Sequence, residues 1–252
     1  MSYLGPRKLY IDSRARSSGS HSDFVYQLAQ SIEVPHDMVA IIDTVSVPNV
    51  FQTVDGTRNK LYVDIFQHPP QVVTLTTGMY NGVTLATELQ TQLNAMGIGT
   101  YTVGFSSATG QLSVLATGVG YATFSERSAL RPFDCLEVIG ALDSQILITD
   151  GVQITLPHHV DVAGTRVLYL CSSTFGHYSS LGPRGESDIL RAIYIDASNG
   201  SYIVDRLANP FEFIECAGQQ LQSIRFTLRD GNGQIVDLRG RSISFSIIFL
   251  IK

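Results

Sequence analysis

The two-residue alternation in residues 224–251, IRFTLRDGNGQIVDLRGRSISFSIIFLI, limits the folds open to this chain more than any other feature. Ile224, Phe226 and Leu228 fall on one side of a first strand. Ile243, Phe245, Ile247 and Phe249 fall on one side of a second, with Ser242, Ser244 and Ser246 between them. Successive side chains of a strand point to opposite faces, so this pattern belongs to half-buried antiparallel strands. Asp230-Gly231-Asn232-Gly233 supplies residues that take positive φ in turns at little cost. The chain is therefore expected to be mainly β, with its last strand central to a sheet.

The same punctuation recurs along the sequence. Phe24, Tyr26 and Leu28 alternate, and Pro35 closes that segment. Residues 38–47 (MVAIIDTVSV) end at Pro48-Asn49, and runs at 60–67 and 71–76 are separated by Pro69-Pro70. Further β-prone runs cover 153–156, 165–171, 189–195 and 211–216. Short strands cut by Pro and Gly at this spacing predict a sandwich or jelly roll. One helix is expected where Leu85, Leu89 and Leu93 recur with Ala86 and Met96, capped by Asn81 or Thr84 and ended by Gly97. A hairpin follows at 101–115, and a weaker helix is expected through 131–142. The resulting division has a flexible N-terminal arm at 1–22 and a jelly-roll domain at 23–76 and 151–252. Residues 77–150 form an insertion, as an elaboration between sandwich strands or as a small α+β subdomain. Residues 172–188, SSTFGHYSSLGPRGESD, form a long surface connection.

Hydrophobic residues make up 44% of the chain and charged residues only 15%, so its surface is poor in solvating charge, as surfaces covered by a partner often are. A net charge of −5 argues against a dedicated nucleic-acid binder, which carries a basic excess. The charge is uneven: residues 1–22 hold Arg7, Lys8, Arg14 and Arg16 against Asp12 alone, so the segment is about +3 and the remainder about −8. These four cations are the candidate interaction residues, read as contacts of an arm to a neighbouring subunit in preference to phosphates. Cys135, Cys171 and Cys216 are odd in number, far apart and set in apolar runs, which suits buried thiols in a reducing compartment. The N-terminal residues lack the apolar core of a signal peptide, and no run long enough to span a membrane occurs.

No catalytic, cofactor or metal site is expected. His158-His159-Val160-Asp161 has ligand residue types, but adjacent strand residues face opposite ways and a third ligand is missing, so a strand-edge or loop role is expected. Neither Cys171 nor Cys216 is flanked by a helix start or a base that would activate a nucleophile. Asp230, Asn232 and Asp237 match no calcium-loop spacing and read as turn chemistry.

The assembled order resembles the penton (minor capsid) proteins of virophages, polinton-like viruses and related double-jelly-roll DNA viruses. The resemblance rests on Tyr10-Ile11-Asp12-Ser13-Arg14, Ser22-Asp23-Phe24-Val25-Tyr26, Val47-Pro48-Asn49 with Phe51, and Leu75-Thr76-Thr77-Gly78-Met79-Tyr80 with Leu85, Leu89 and Leu93-Asn94. It closes with residues 230–238 (DGNGQIVDL) and 244–249 (SFSIIF), and so covers nearly the whole chain. It implies an antiparallel single jelly roll with an outward insertion, five copies at each icosahedral vertex of a virion, no enzyme activity and no cofactor. The implied partners are further copies of this chain, the major capsid protein and, through the insertion, either a host receptor or a fibre. A rival reading is a carbohydrate-binding or receptor-binding jelly-roll module, for which the absence of Trp removes the usual aromatic platform.

Overall fold

In chain order the strands are β1 (Arg7–Asp12), β2 (Ser18–Gly19), β3 (Asp23–Glu33), β4 (Met38–Pro48), β5 (Lys60–Ile65) and β6 (Gln71–Thr74). Helix α1 (Gly82–Asn94) leads to β7 (Thr100–Ser106), β8 (Gln111–Thr117) and β9 (Tyr121–Phe124). Then come α2 (Leu136–Ile139), β10 (Ile146–Thr149), β11 (Gln153–Thr155), β12 (Val167–Cys171) and β13 (Ile189–Tyr194). β14 (Tyr202–Arg206), β15 (Ile214–Glu215), β16 (Gln220–Asp230) and β17 (Ser244–Ile251) complete the chain. The structure is a computed structural model that describes residues 7–142, 145–175, 181–206 and 213–251. The chain divides into two compact units, Met1–Phe51 with Thr165–Lys252, and Gln52–Gly164.

The first unit is a jelly roll. One sheet runs β1-β17-β4-β14, with β15 also on β4; the other runs β13-β12-β16-β3, with β2 on the β3 edge. All these pairings are antiparallel. The chain passes repeatedly from one sheet to the other, which is the connectivity of two interlocked Greek keys. The expected interior residues are where the alternation puts them: Ile224, Phe226, Leu228, Ile243, Phe245, Ile247 and Phe249 are all buried in one core. β17 lies between β1 and β4, central as expected. β16 and β17 do not pair with each other. The Asp230 turn folds the chain briefly back, Val236 N–H donating to Leu228 C=O at 3.1 Å, and the chain then crosses to the opposite sheet.

Strand β4 shows where a plain period of two fails. Met38, Ala40 and Ile42 face the core, and then Val45 and Val47 do. Ser246 pairs with Thr44 and Ile247 with Ile42, leaving Asp43 as an extra residue that resets the parity.

The second unit has its own core, built from a sheet β10-β9-β5-β6, a sheet β11-β8-β7 and the α1 leucines. Helix α1 starts as expected: Asn81 Oδ1 accepts from Thr84 N–H and Thr84 Oγ1 accepts from Asn81 N–H, both at 2.9 Å, a reciprocal cap. Leu85, Leu89 and Leu93 are fully buried on its inner face. The hairpin expected at 101–115 is β7 and β8. The helix expected over 131–142 contracts to the single turn α2, because Gly140 takes φ 76° and ends it. A side chain at Gly140 would meet the His158 carbonyl oxygen at 2.2 Å, so the approach of that loop requires glycine.

Two expected boundaries differ from the structure. The insertion placed at 77–150 belongs to a unit spanning 52–164, because β5 and β6 pair within the β9 sheet and β11 pairs with β8. Leu61, Val63 and Ile65 alternate equally well for either sandwich, and only pairing assigns them. The described part of the arm placed at 1–22 is built into the sheets: β1 joins β17, Ile11 is buried, a 3-10 turn covers Ser13–Ala15, and β2 pairs with β3. Among the described residues no helix is long and apolar enough to cross a membrane.

The Gln52–Gly164 unit brings its own ends together, since a Cβ on Gly164 would lie 2.8 Å from the Gln52 carbonyl oxygen. With a separate core and adjacent ends, residues 52–164 expressed alone are expected to fold. A cooperative thermal melt and dispersed amide resonances will show it, and a fragment without either contradicts an autonomous core.

Candidate assembly face

The outer face of the β1-β17-β4-β14 sheet follows from the inward residues. With Ile11, Phe245, Val45 and Ile203 buried, Asp12, Ser244, Ser46 and Val204 form one outward row across the four strands. Tyr10, Ser246, Thr44 and Arg206 form the next. The floor is thus small hydroxyl side chains, and the rims are large: Tyr10 is 70% exposed, Val204 52% and Tyr202 48%. A depression of about 380 Å³ beside Tyr10 is lined by Lys8, Asp12, Tyr26, Ser46 and Ser244, among others.

The expected interaction cations lie on or beside this face, and those whose side chains are described bond to their own chain. Lys8 Nζ donates to Asp43 Oδ2 at 2.6 Å and lies 5.3 Å from the Tyr10 ring centre. That bond raises the Lys8 pKa and holds the Asp43 carboxyl below its ordinary value, helped by the Ser246 hydroxyl at 3.1 Å. Arg14 grips Asp12 through Nε and Nη2, the shorter contact 2.6 Å, and this guanidinium lowers the Asp12 pKa. With the Arg14 side chain 75% exposed, water screens the pair and it adds little to stability. Arg16 donates to the carbonyls of Gly19 (2.9 Å) and Ser13 (2.8 Å), closing the turn it stands on. Arg7 belongs to β1, but its side chain lies outside the described residues. The result is a face whose Lys8 and Asp12 charges are paired, with hydroxyls and exposed rings between them, suited to close contact with another surface.

Sequence reasoning passed over this face because Gly5-Pro6 and the serines at 17–20 suggested a loose segment. The signal was present in Lys8-Leu9-Tyr10-Ile11-Asp12, which alternates polar and apolar like the other strands.

The remaining candidates take ordinary places. His158 and Asp161 sit in the loop after β11, their amides donating to the Gly140 and Val138 carbonyls at 3.0 and 3.1 Å. Among the described residues, no three His, Cys, Asp or Glu stand together as a metal site. The three thiols are free and buried, and burial pushes Cys135 and Cys171 up to about 12 and Cys216 to about 11, far from a reactive thiolate. Asp230 Oδ1 accepts from the amides of Asn232 and Gln234 at 2.9 and 2.8 Å, so its carboxylate shapes the turn.

The sequence matches no protein-family model and no curated protein. The fold is similar to the crystal structure of the selenomethionine-labelled mavirus penton protein, at 11% identity and a TM-score of 0.55. The likeness covers 98% of this chain and 99% of that one. At that identity, it is a likeness of fold.

Proposed function

We propose that this chain is a structural, non-enzymatic capsid protein, five copies of which close each vertex of an icosahedral virion. One observation carries the reading: the fold likeness to a penton protein runs end to end, through the jelly roll and the inserted unit alike. Five-fold closure joins two different patches head to tail, and the binding energy comes from area buried around a closed ring. The Tyr10 face, with Arg7, Lys8, Arg14 and Arg16 at its margin, is the proposed contact with a neighbouring copy or with the major capsid protein. The 52–164 unit is the proposed outward part and the site for any host receptor.

Purified protein is expected to form five-membered rings, seen in negative-stain micrographs and as a pentamer mass in native mass spectrometry. Monomer alone, across concentrations up to those of a capsid, overturns the assignment. The hydroxyl floor beside the exposed Tyr10 ring also favours a second reading, a carbohydrate-binding face. Glycan-array binding by a chain that stays monomeric selects it.

A further inference from the structure

Ser13 is completely buried between the end of β1 and the start of β17. Its amide donates to the Ile243 carbonyl at 3.0 Å, and its hydroxyl oxygen accepts from the Ile243 amide at 3.0 Å. These two bonds pin the end of the edge strand to the central one. The same hydroxyl lies 2.8 Å from His21 Nδ1. Its oxygen, which accepts from Ile243, keeps a second lone pair, so it is the neighbouring cation that fixes Nδ1 as the acceptor and turns the Ser13 proton toward it. Arg16 Nη1 stands 3.3 Å from that same nitrogen while donating to the Ser13 carbonyl, and a guanidinium has only donors to offer. Two donors therefore converge on Nδ1, which places the neutral ring's proton on Nε2.

We propose that His21 is an acid-sensitive clasp: its protonation breaks the Ser13 contact and frees the β1 end of the N-terminal segment from β17. A proton on Nδ1 would face the Ser13 O–H and the Arg16 cation together, and either the ring swings out or the buried hydroxyl turns. Among the described residues Asp12 is the one carboxylate near enough to favour the charged ring, and its oxygens are already engaged by Arg14. Burial first, then Arg16, hold the His21 pKa below the ordinary 6.5, with Asp12 opposing. The released segment binds the proton more tightly than the clasped one. The clasp is thus intact above about pH 6.5, weakens as the pH falls from there toward the lowered value, and loses nothing further below it. Opening leaves the β17 edge unpaired, a surface on which another strand can add.

The test is amide exchange of the intact chain at about pH 7.5 and about pH 5, corrected for the intrinsic rate. Protection of residues 7–16 and of Ile243 is expected to fall several-fold at the lower pH. His21→Asn keeps an acceptor at the Nδ1 position but cannot titrate, and its protection is expected to be level. Arg16→Gln removes the facing cation and should shrink the loss. Equal protection of the wild-type chain at both values, or the same loss in His21→Asn, overturns the clasp. If His21→Asn does not fold, an undiminished loss in Arg16→Gln overturns it instead.

Discussion

Phe226→Ala is expected to destabilise the jelly roll by about 3–5 kcal/mol, the range for emptying a buried aromatic site. Phe226 is completely buried on β16 and touches rings from three directions. Its centroid lies 4.8 Å from Phe245 in an edge-on contact, 5.7 Å from Phe24 and 6.5 Å from Phe175. Phe245 belongs to the opposite sheet, so the Phe226–Phe245 contact joins the two layers, and such pairs add about 0.5–1.5 kcal/mol beyond area alone. Natural domains hold only about 5–15 kcal/mol in total, so this single loss approaches the margin. Urea unfolding measures it as a lower midpoint at unchanged slope, with Phe226→Leu, which keeps most of the volume, as the milder control. A loss under about 1 kcal/mol would show that the rings do not hold the layers together.

The second large effect is expected where an edge of each sheet meets the other. Arg191 on β13 is 8% exposed and donates through Nε to Asp205 Oδ2 at 2.7 Å and through Nη2 to the Arg206 carbonyl at 3.0 Å. β13 is the edge of one sheet and β14 the edge of the other, so one guanidinium ties the two layers where no backbone pairing can. Arg191→Met leaves a carboxylate and a carbonyl without those donors. Breaking a buried pair costs about 3–5 kcal/mol, and the quarter exposure of Asp205 reduces this to about 2–4 kcal/mol. Arg191→Met with Asp205→Leu is expected to recover much of the loss, because the uncompensated charge goes too. Arg191→Lys should not recover it, since an ammonium cannot span both acceptors as the planar fork does. A double-mutant cycle in urea reads these terms, and a neutral Arg191→Met would mean that the edge is closed by other contacts.

Strand parity was readable wherever a strand kept its period. Residues 243–249 and 224–228 face the core as their alternation requires, because one wrong register would put every large side chain in water. Helix α1 was readable from its leucines and its cap, since both signals are local. Asp43 was not, because a bulge is defined by the partner strand and not by the strand that carries it. The candidate face was partly readable: its cations were singled out, but their carboxylates were not assigned. Asp12 is a sequence neighbour of Arg14, whereas Asp43 is 35 residues from Lys8. The Ser13–Ile243 tie that His21 guards spans 230 residues, beyond any local pattern.

The order of polar and apolar residues by itself determined that this chain would be layered antiparallel sheet, with one capped helix and an inserted portion. Those outcomes depend on the faces of single elements, which each element's own residues specify. Only the tertiary structure decided that β16 and β17 part to opposite sheets, that β5, β6 and β11 belong to the inserted unit, and that the basic N-terminal segment supplies an edge strand whose Lys8 and Asp12 are paired. Each of these is a choice of partner, and an alternating strand offers the same buried face and the same backbone hydrogen bonds to any sheet that will take it. The choice is settled by which cores can close at once, a property of the whole chain.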